Sequence, residues 1–234
     1  MKPSHQNPEH TMNICARRFG LRSIAVATLL VGATTVAMAD RPLTVDEANV
    51  NEKGAGHVEV WMARSSDAPG TSVYNLAPAY APVEGLEIGA LLAHETASSS
   101  NVSALQAKWR ITDSKNNGCN FGAVLGLARA PVDVATTYLV GLFTCNADSA
   151  GSAHVNLGGY QTSGVNGTTH TWGLAFEKPV SGVTPHIEWF GQEGSAPTSQ
   201  IGLRGQLNKT LQLDGTLGRA GSATLYTLGL KIQF

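Results

Sequence analysis

The sequence predicts an all-β chain, a single closed antiparallel transmembrane β-barrel of about twelve strands. Three observations predict it. After residue 54 the chain is a series of roughly ten-residue segments with period-two alternation, split by turn residues. Charged residues make up only 14% of the chain, where soluble domains average about 25%. No apolar run beyond residue 39 could cross a bilayer as a helix.

The chain begins with a leader. Ile24 to Ala39 read IAVATLLVGATTVAMA, preceded by Arg17, Arg18 and Arg22 and followed by Asp40. A basic region, a short apolar stretch and Ala37-Met38-Ala39 are the parts of a secretory signal peptide, cut between Ala39 and Asp40. Either Met1 or Met12 can start it. Removing residues 1–39 takes away Lys2, Arg17, Arg18, Arg22 and Glu9, so the mature part keeps 12 basic and 16 acidic residues, a net charge of −4. With no basic tract, nucleic acid is excluded as a partner. The expected organisation is 1–39 signal peptide, 40–54 N-terminal periplasmic segment and 55–234 barrel.

The strands are expected near 57–64, 72–80, 86–95, 102–112, 119–129, 137–146, 153–161, 169–177, 183–191, 199–207, 211–219 and 223–234. Between them stand APVEG, TDSKNNG, NADSAG, EKPVSG and NKT, rich in Gly, Asn, Asp and Pro. Each strand has two unlike faces. In 199–207 one face carries Ile201, Leu203 and Leu207, the other Gln200, Arg204 and Gln206. A soluble barrel or sandwich buries the apolar face, whereas a membrane barrel turns it to lipid, so alternation alone does not decide between them. The last strand helps to decide. Tyr226, Leu228, Leu230, Ile232 and Phe234 share one face and would form a hazardous open edge in a soluble sheet. Closure on the first strand removes that edge, and a bilayer demands closure.

Two stretches carry a family resemblance. Thr227-x-Gly229-x-x-Ile232-x-Phe234 closely resembles the C-terminal recognition signal of bacterial outer-membrane β-barrels. The resemblance implies that the outer-membrane assembly machinery reads Thr227, Gly229, Ile232 and Phe234. Asp40-Arg41-Pro42-Leu43-Thr44-Val45-Asp46-Glu47-Ala48 resembles the opening of barrels classed as phenol meta-pathway outer-membrane proteins or transporters, with Val45-Asp46-Glu47 in place of the more usual Thr-Asp-Asp. It implies a bacterial outer-membrane location and lipid as a partner.

Strand parity assigns Glu59, Glu87, Lys108, Arg110, Glu177, His186, Glu188, Arg204, Asp214 and Lys231 to the lumen. Both signs occur there, so the charges either line a polar pathway or pair and close the barrel. Trp109, Trp172, Trp189, Tyr74, Tyr80 and Phe176 fall on the lipid face, where they can form interfacial girdles. Trp61 has the opposite parity, from either a shifted first strand or a ring in the lumen. His154-Val155-Asn156 and the pair His186, Glu188 are the nearest fragments of a catalytic set. They lack a same-face nucleophile and are read as hydrogen-bonded filling. No catalytic residue, cofactor site or metal spacing is expected.

Cys15 leaves with the leader. Cys119 and Cys145 flank a hairpin turned near Ala130-Pro131-Val132 and come nearly opposite, within disulfide reach. The periplasm is oxidising, which favours the bond over two buried thiols. The expected role is passive passage of small solutes. A non-conducting structural or surface barrel is the alternative, and an outer-membrane enzyme the third reading.

Overall fold

The structure, a computed structural model, describes residues 43–113, 118–132, 134–147 and 150–234. The expected leader and its cleavage site lie outside the described residues.

Twelve strands follow one another: β1 (Gly56–Ser65), β2 (Val73–Val83), β3 (Leu86–Glu95), β4 (Ser100–Arg110), β5 (Gly118–Ala130) and β6 (Val134–Ala147), then β7 (Gly151–Thr162), β8 (Thr169–Glu177), β9 (Val183–Gln192), β10 (Thr198–Gln206), β11 (Leu211–Ala220) and β12 (Ala223–Gln233). Each pairs antiparallel with its sequence neighbours, and β1 pairs with β12, so the sheet closes and leaves no edge. Short turns suffice because successive strands are antiparallel.

Facing decides the class of barrel. Along β10, Ile201 and Leu203 are 58% and 50% exposed on the outside, while Gln200 is 6% exposed within. The same inversion recurs around the ring. Leu105, Leu139, Leu157 and Leu217 are bare outside, and Gln106, Tyr138, Asn156 and Thr216 are buried. In water such an apolar belt would not persist. It is the face of a transmembrane barrel. Trp109, Trp189, Tyr74, Tyr80 and Phe176 are exposed on this belt, and Trp172 packs edge-on against Trp189 with ring centroids 4.7 Å apart. Trp61 points into the lumen, against Ala77, Leu91, Ala104 and Ala128, so β1 keeps its regular parity.

The chain end is held by closure. Phe234 N–H donates to Gly56 O at 2.9 Å and Gly56 N–H donates to Phe234 O at 2.8 Å. A Cβ at Gly56 would come within 2.6 Å of Ala79 O and 2.9 Å of the Phe234 ring, so only glycine fits there. Deleting Phe234 removes this reciprocal pair and the last residue of the assembly pattern. The deleted form should yield less heat-modifiable, folded barrel in membrane fractions and more protease-sensitive chain. Unchanged yield and mobility would contradict this.

Cys119 and Cys145 are direct partners in the β5–β6 register and form a disulfide across a separation of 26 residues. Closing such a loop stabilises by about 3 kcal/mol in the chain-entropy model. Both residues lie near the barrel end at which β1 begins and β12 finishes. Thiol labelling of the unfolded, unreduced mature protein should find no free cysteine. Two reactive thiols per chain would contradict the pairing.

Candidate functional site: an occupied lumen

Glu59, Glu87, Lys108, His186, Glu188, Asp214 and Lys231 are all buried. Glu59 stands opposite Lys231 in the β1–β12 register, with Lys231 Nζ and His57 Nε2 each 3.6 Å from its carboxylate. Glu177 accepts from Arg204 at 2.5 Å, and His154 Nε2 lies 3.8 Å from its other oxygen. His186 Nε2 lies 3.7 Å from Glu188. Arg110 pairs with Glu84 at the rim. Ion pairing within the wall is therefore extensive, as low dielectric requires.

What fills the centre is a segment of the chain itself. Residues 40–54 were expected outside the barrel, as a periplasmic segment. Over residues 43–51 the chain instead runs inside it. Leu43, Val45, Asp46 and Ala48 are 5%, 1%, 3% and 0% exposed. The segment belongs to no strand. Its main-chain donors therefore need acceptors from elsewhere, since a buried N–H is rarely left unpaired.

The wall supplies them, one strand after another. Glu188 on β9 accepts from the N–H groups of both Thr44 and Val45, at 2.6 and 2.7 Å. Asn156 on β7 accepts from Asp46 N–H and donates to Asp46 O, both at 2.7 Å. Thr144 on β6 accepts from Ala48 N–H at 2.8 Å, and Glu87 on β3 accepts from Asn51 N–H at 3.1 Å. Side chains add to this. Lys108 on β4 grips Asp46 at 2.7 Å with both groups buried. Gln200 on β10 donates to Thr44 Oγ1 at 3.0 Å, Asn120 on β5 to Asn49 Oδ1 at 3.1 Å, and Asn51 to Glu87 at 2.7 Å.

Apolar patches of the wall take the segment's apolar side chains. Leu43 and Val45 pack with Ala175 and Phe190. Ala48 packs with Val124, Tyr138, Val140 and Leu142. Room for this comes from small wall residues. The Tyr138 ring lies against Gly126, where a Cβ would fall 2.1 Å from it, and its hydroxyl donates to Gln106 at 3.0 Å. A larger residue at 126 would push the ring toward the axis.

On the β1–β4 side a cavity of about 70 Å³ remains, lined by Glu47, Asn49, His57, Glu59, Glu87 and Lys108 among others. Among the described residues no group of three or more His, Cys, Asp or Glu is placed to hold a metal.

The structure adds one partner to the His154 fragment that sequence reading did not find. Thr144 Oγ1 lies 2.9 Å from His154 Nδ1, which completes a hydroxyl, imidazole and carboxylate line with Glu177. Thr144 is fully buried and its hydroxyl already holds Ala48 N–H. This line is a wall element beneath the segment.

Fold and lumen together define a closed, internally occupied transmembrane barrel. By sequence, residues 25–234 match the family described as uncharacterised conserved protein UCP029691, and the chain belongs to that family. No curated protein matches. Among solved structures the chain is similar to the KdgM porin in complex with disordered oligogalacturonate, at 12% identity and TM-score 0.67, covering 76% of this chain and 99% of that one. It is similar to the COG4313 outer membrane channel from Pseudomonas putida F1, at 11% identity and TM-score 0.55, covering 80% and 97%. It is also similar to the Acinetobacter baumannii outer membrane protein Omp33, at 7% identity and TM-score 0.52, covering 77% and 99%. At these identities the likeness is one of fold.

Proposed function

We propose that this protein is a bacterial outer-membrane channel for passive passage of small solutes, held closed at rest by residues 43–51. One observation carries the reading: the occluding element is a strand-free segment of chain, and the wall behind it is mixed, with polar side chains between apolar patches. Moving such a segment leaves an aqueous path, whereas a barrel closed by its own wall side chains has nothing to move. The fold likeness to porins and outer-membrane channels supports the same conclusion. The reading is non-enzymatic. It includes export through residues 1–39, cleavage between Ala39 and Asp40, lipid around the apolar belt, and delivery by the barrel-assembly machinery reading Thr227, Gly229, Ile232 and Phe234.

A second reading, a permanently closed structural barrel, is favoured by the thoroughness of the packing, with Ala48 completely buried. Single-channel recording separates the two. Removing one partner of a buried ion pair costs about 3–5 kcal/mol because the other charge is stranded. Asp46→Asn should therefore leave Lys108 unpaired and raise the open fraction in a planar bilayer. The exchanged pair, Asp46→Lys with Lys108→Asp, should return it toward the parent level. If neither the parent nor Asp46→Asn conducts, the closed-barrel reading stands.

A further inference from the structure

The wall contacts to residues 43–51 are of three chemical kinds: polar side-chain contacts, among them the buried Lys108–Asp46 pair, main-chain hydrogen bonds, and apolar packing. The main-chain hydrogen bonds run along the segment, to the N–H groups of Thr44, Val45, Asp46, Ala48 and Asn51 and the carbonyl of Asp46. Asn156 is the telling residue. Its amide meets the N–H and the C=O of one residue together, as a neighbouring strand would, and any residue type offers that pair of groups. The apolar contacts, by contrast, are shape-limited. The Ala48 site, walled by Val124, Tyr138, Val140 and Leu142, holds a methyl group that is wholly buried.

A surface that uses its own side chains to satisfy an extended main chain, with small apolar recesses between, is how proteins bind peptides. A wall meant only for ions or sugars has no use for acceptors spaced along a peptide backbone. The acceptors also come from four separate strands, β3, β6, β7 and β9, so the arrangement belongs to the assembled lumen and not to one local turn.

We propose that the lumen is a peptide-binding site that reads main-chain groups, that residues 43–51 are its tethered occupant, and that the solute it admits when they leave is a short extended peptide with small apolar side chains. The last clause rests on the channel reading above; the binding site does not.

The tether offers the test. Glu52, Lys53 and Gly54 are exposed between the segment and β1. A full chain carrying a site-specific protease sequence in place of these three residues is folded first and then cut, so that residues up to 51 become a separate peptide. The cut fragment should stay with the barrel on gel filtration. A labelled synthetic peptide of residues 42–51 should displace it and bind saturably. The same peptide N-methylated at Val45 and Asp46 loses two donors and should compete about tenfold or more weakly. A peptide with Ala48→Phe should also fail, while one with Glu47→Gln should bind as well as the parent. Prompt loss of the fragment with no rebinding of the parent peptide, or equal competition by the N-methylated peptide, would overturn the proposal. Conductance recorded on the cut barrel tells the two readings apart. Peptide binding with no conductance after displacement removes the channel and the solute clause and leaves the binding site. Conductance with no peptide binding leaves the channel and removes the site.

Discussion

Ala48→Arg should turn a closed barrel into an open one. Ala48 is 0% exposed, pressed against Val124, Tyr138, Val140 and Leu142, and its N–H is committed to Thr144. An arginine there overpacks the site, at about 1–3 kcal/mol, and buries an unpaired charge, at about 3–5 kcal/mol. Together these approach the roughly 5.5 kcal/mol that carries a two-state equilibrium from 1:99 to 99:1. Among the described residues the covalent link from the segment to the barrel is residues 52–55, so the segment can leave while the wall stays folded. Heat-modifiable mobility should therefore match the parent, and sustained conductance should replace rare openings. A variant that remains as silent as the parent would mean that the segment does not gate the lumen. A variant that no longer folds would mean that the segment is part of the barrel core.

Leu203→Arg and Arg204→Leu, neighbours on β10, should differ sharply in their effect on folding. Leu203 is 50% exposed on the apolar belt. A charge set there toward lipid costs about 2–4 kcal/mol near the bilayer centre. Arg204 points inward to Glu177 at 2.5 Å and stands only partly buried. Its loss strands a carboxylate that water and His154 can still reach in part, so the cost should be smaller, and ion selectivity should shift if the lumen conducts. Equilibrium urea unfolding in lipid vesicles reads the order directly. Greater damage from Arg204→Leu would mean that the faces are assigned the wrong way round.

The strand pattern was readable because it is local. Period-two alternation, turn residues at regular spacing and a patterned end with Phe234 are written in neighbouring residues, and parity alone placed Glu59, Lys108, Glu188 and Lys231 on the inner face. The cysteine pair was readable for the same reason: one hairpin, counted from its turn, brings Cys119 opposite Cys145. The destination of residues 43–51 was not readable. LTVDEANVN has neither strand alternation nor helical period, and a strand-free stretch beside a barrel is normally placed outside it. The one available signal was the mixture of small apolar residues with the acidic pair Asp46-Glu47 in the segment, alongside a lysine, Lys108, that parity turns into the lumen.

The sequence by itself determined an all-β chain of twelve strands, which face of each is apolar, and how the last strand ends, because these properties depend on residues a few positions apart. Only the tertiary structure decided that the lumen is occupied. Asp46 meets Lys108, Asn156 and, through its neighbours, Thr144 and Glu188, which are between 62 and 143 positions distant along the chain. Those partners share one space only after the ring closes and β1 pairs with β12. A buried main chain without sheet partners must then take whatever acceptors that space offers.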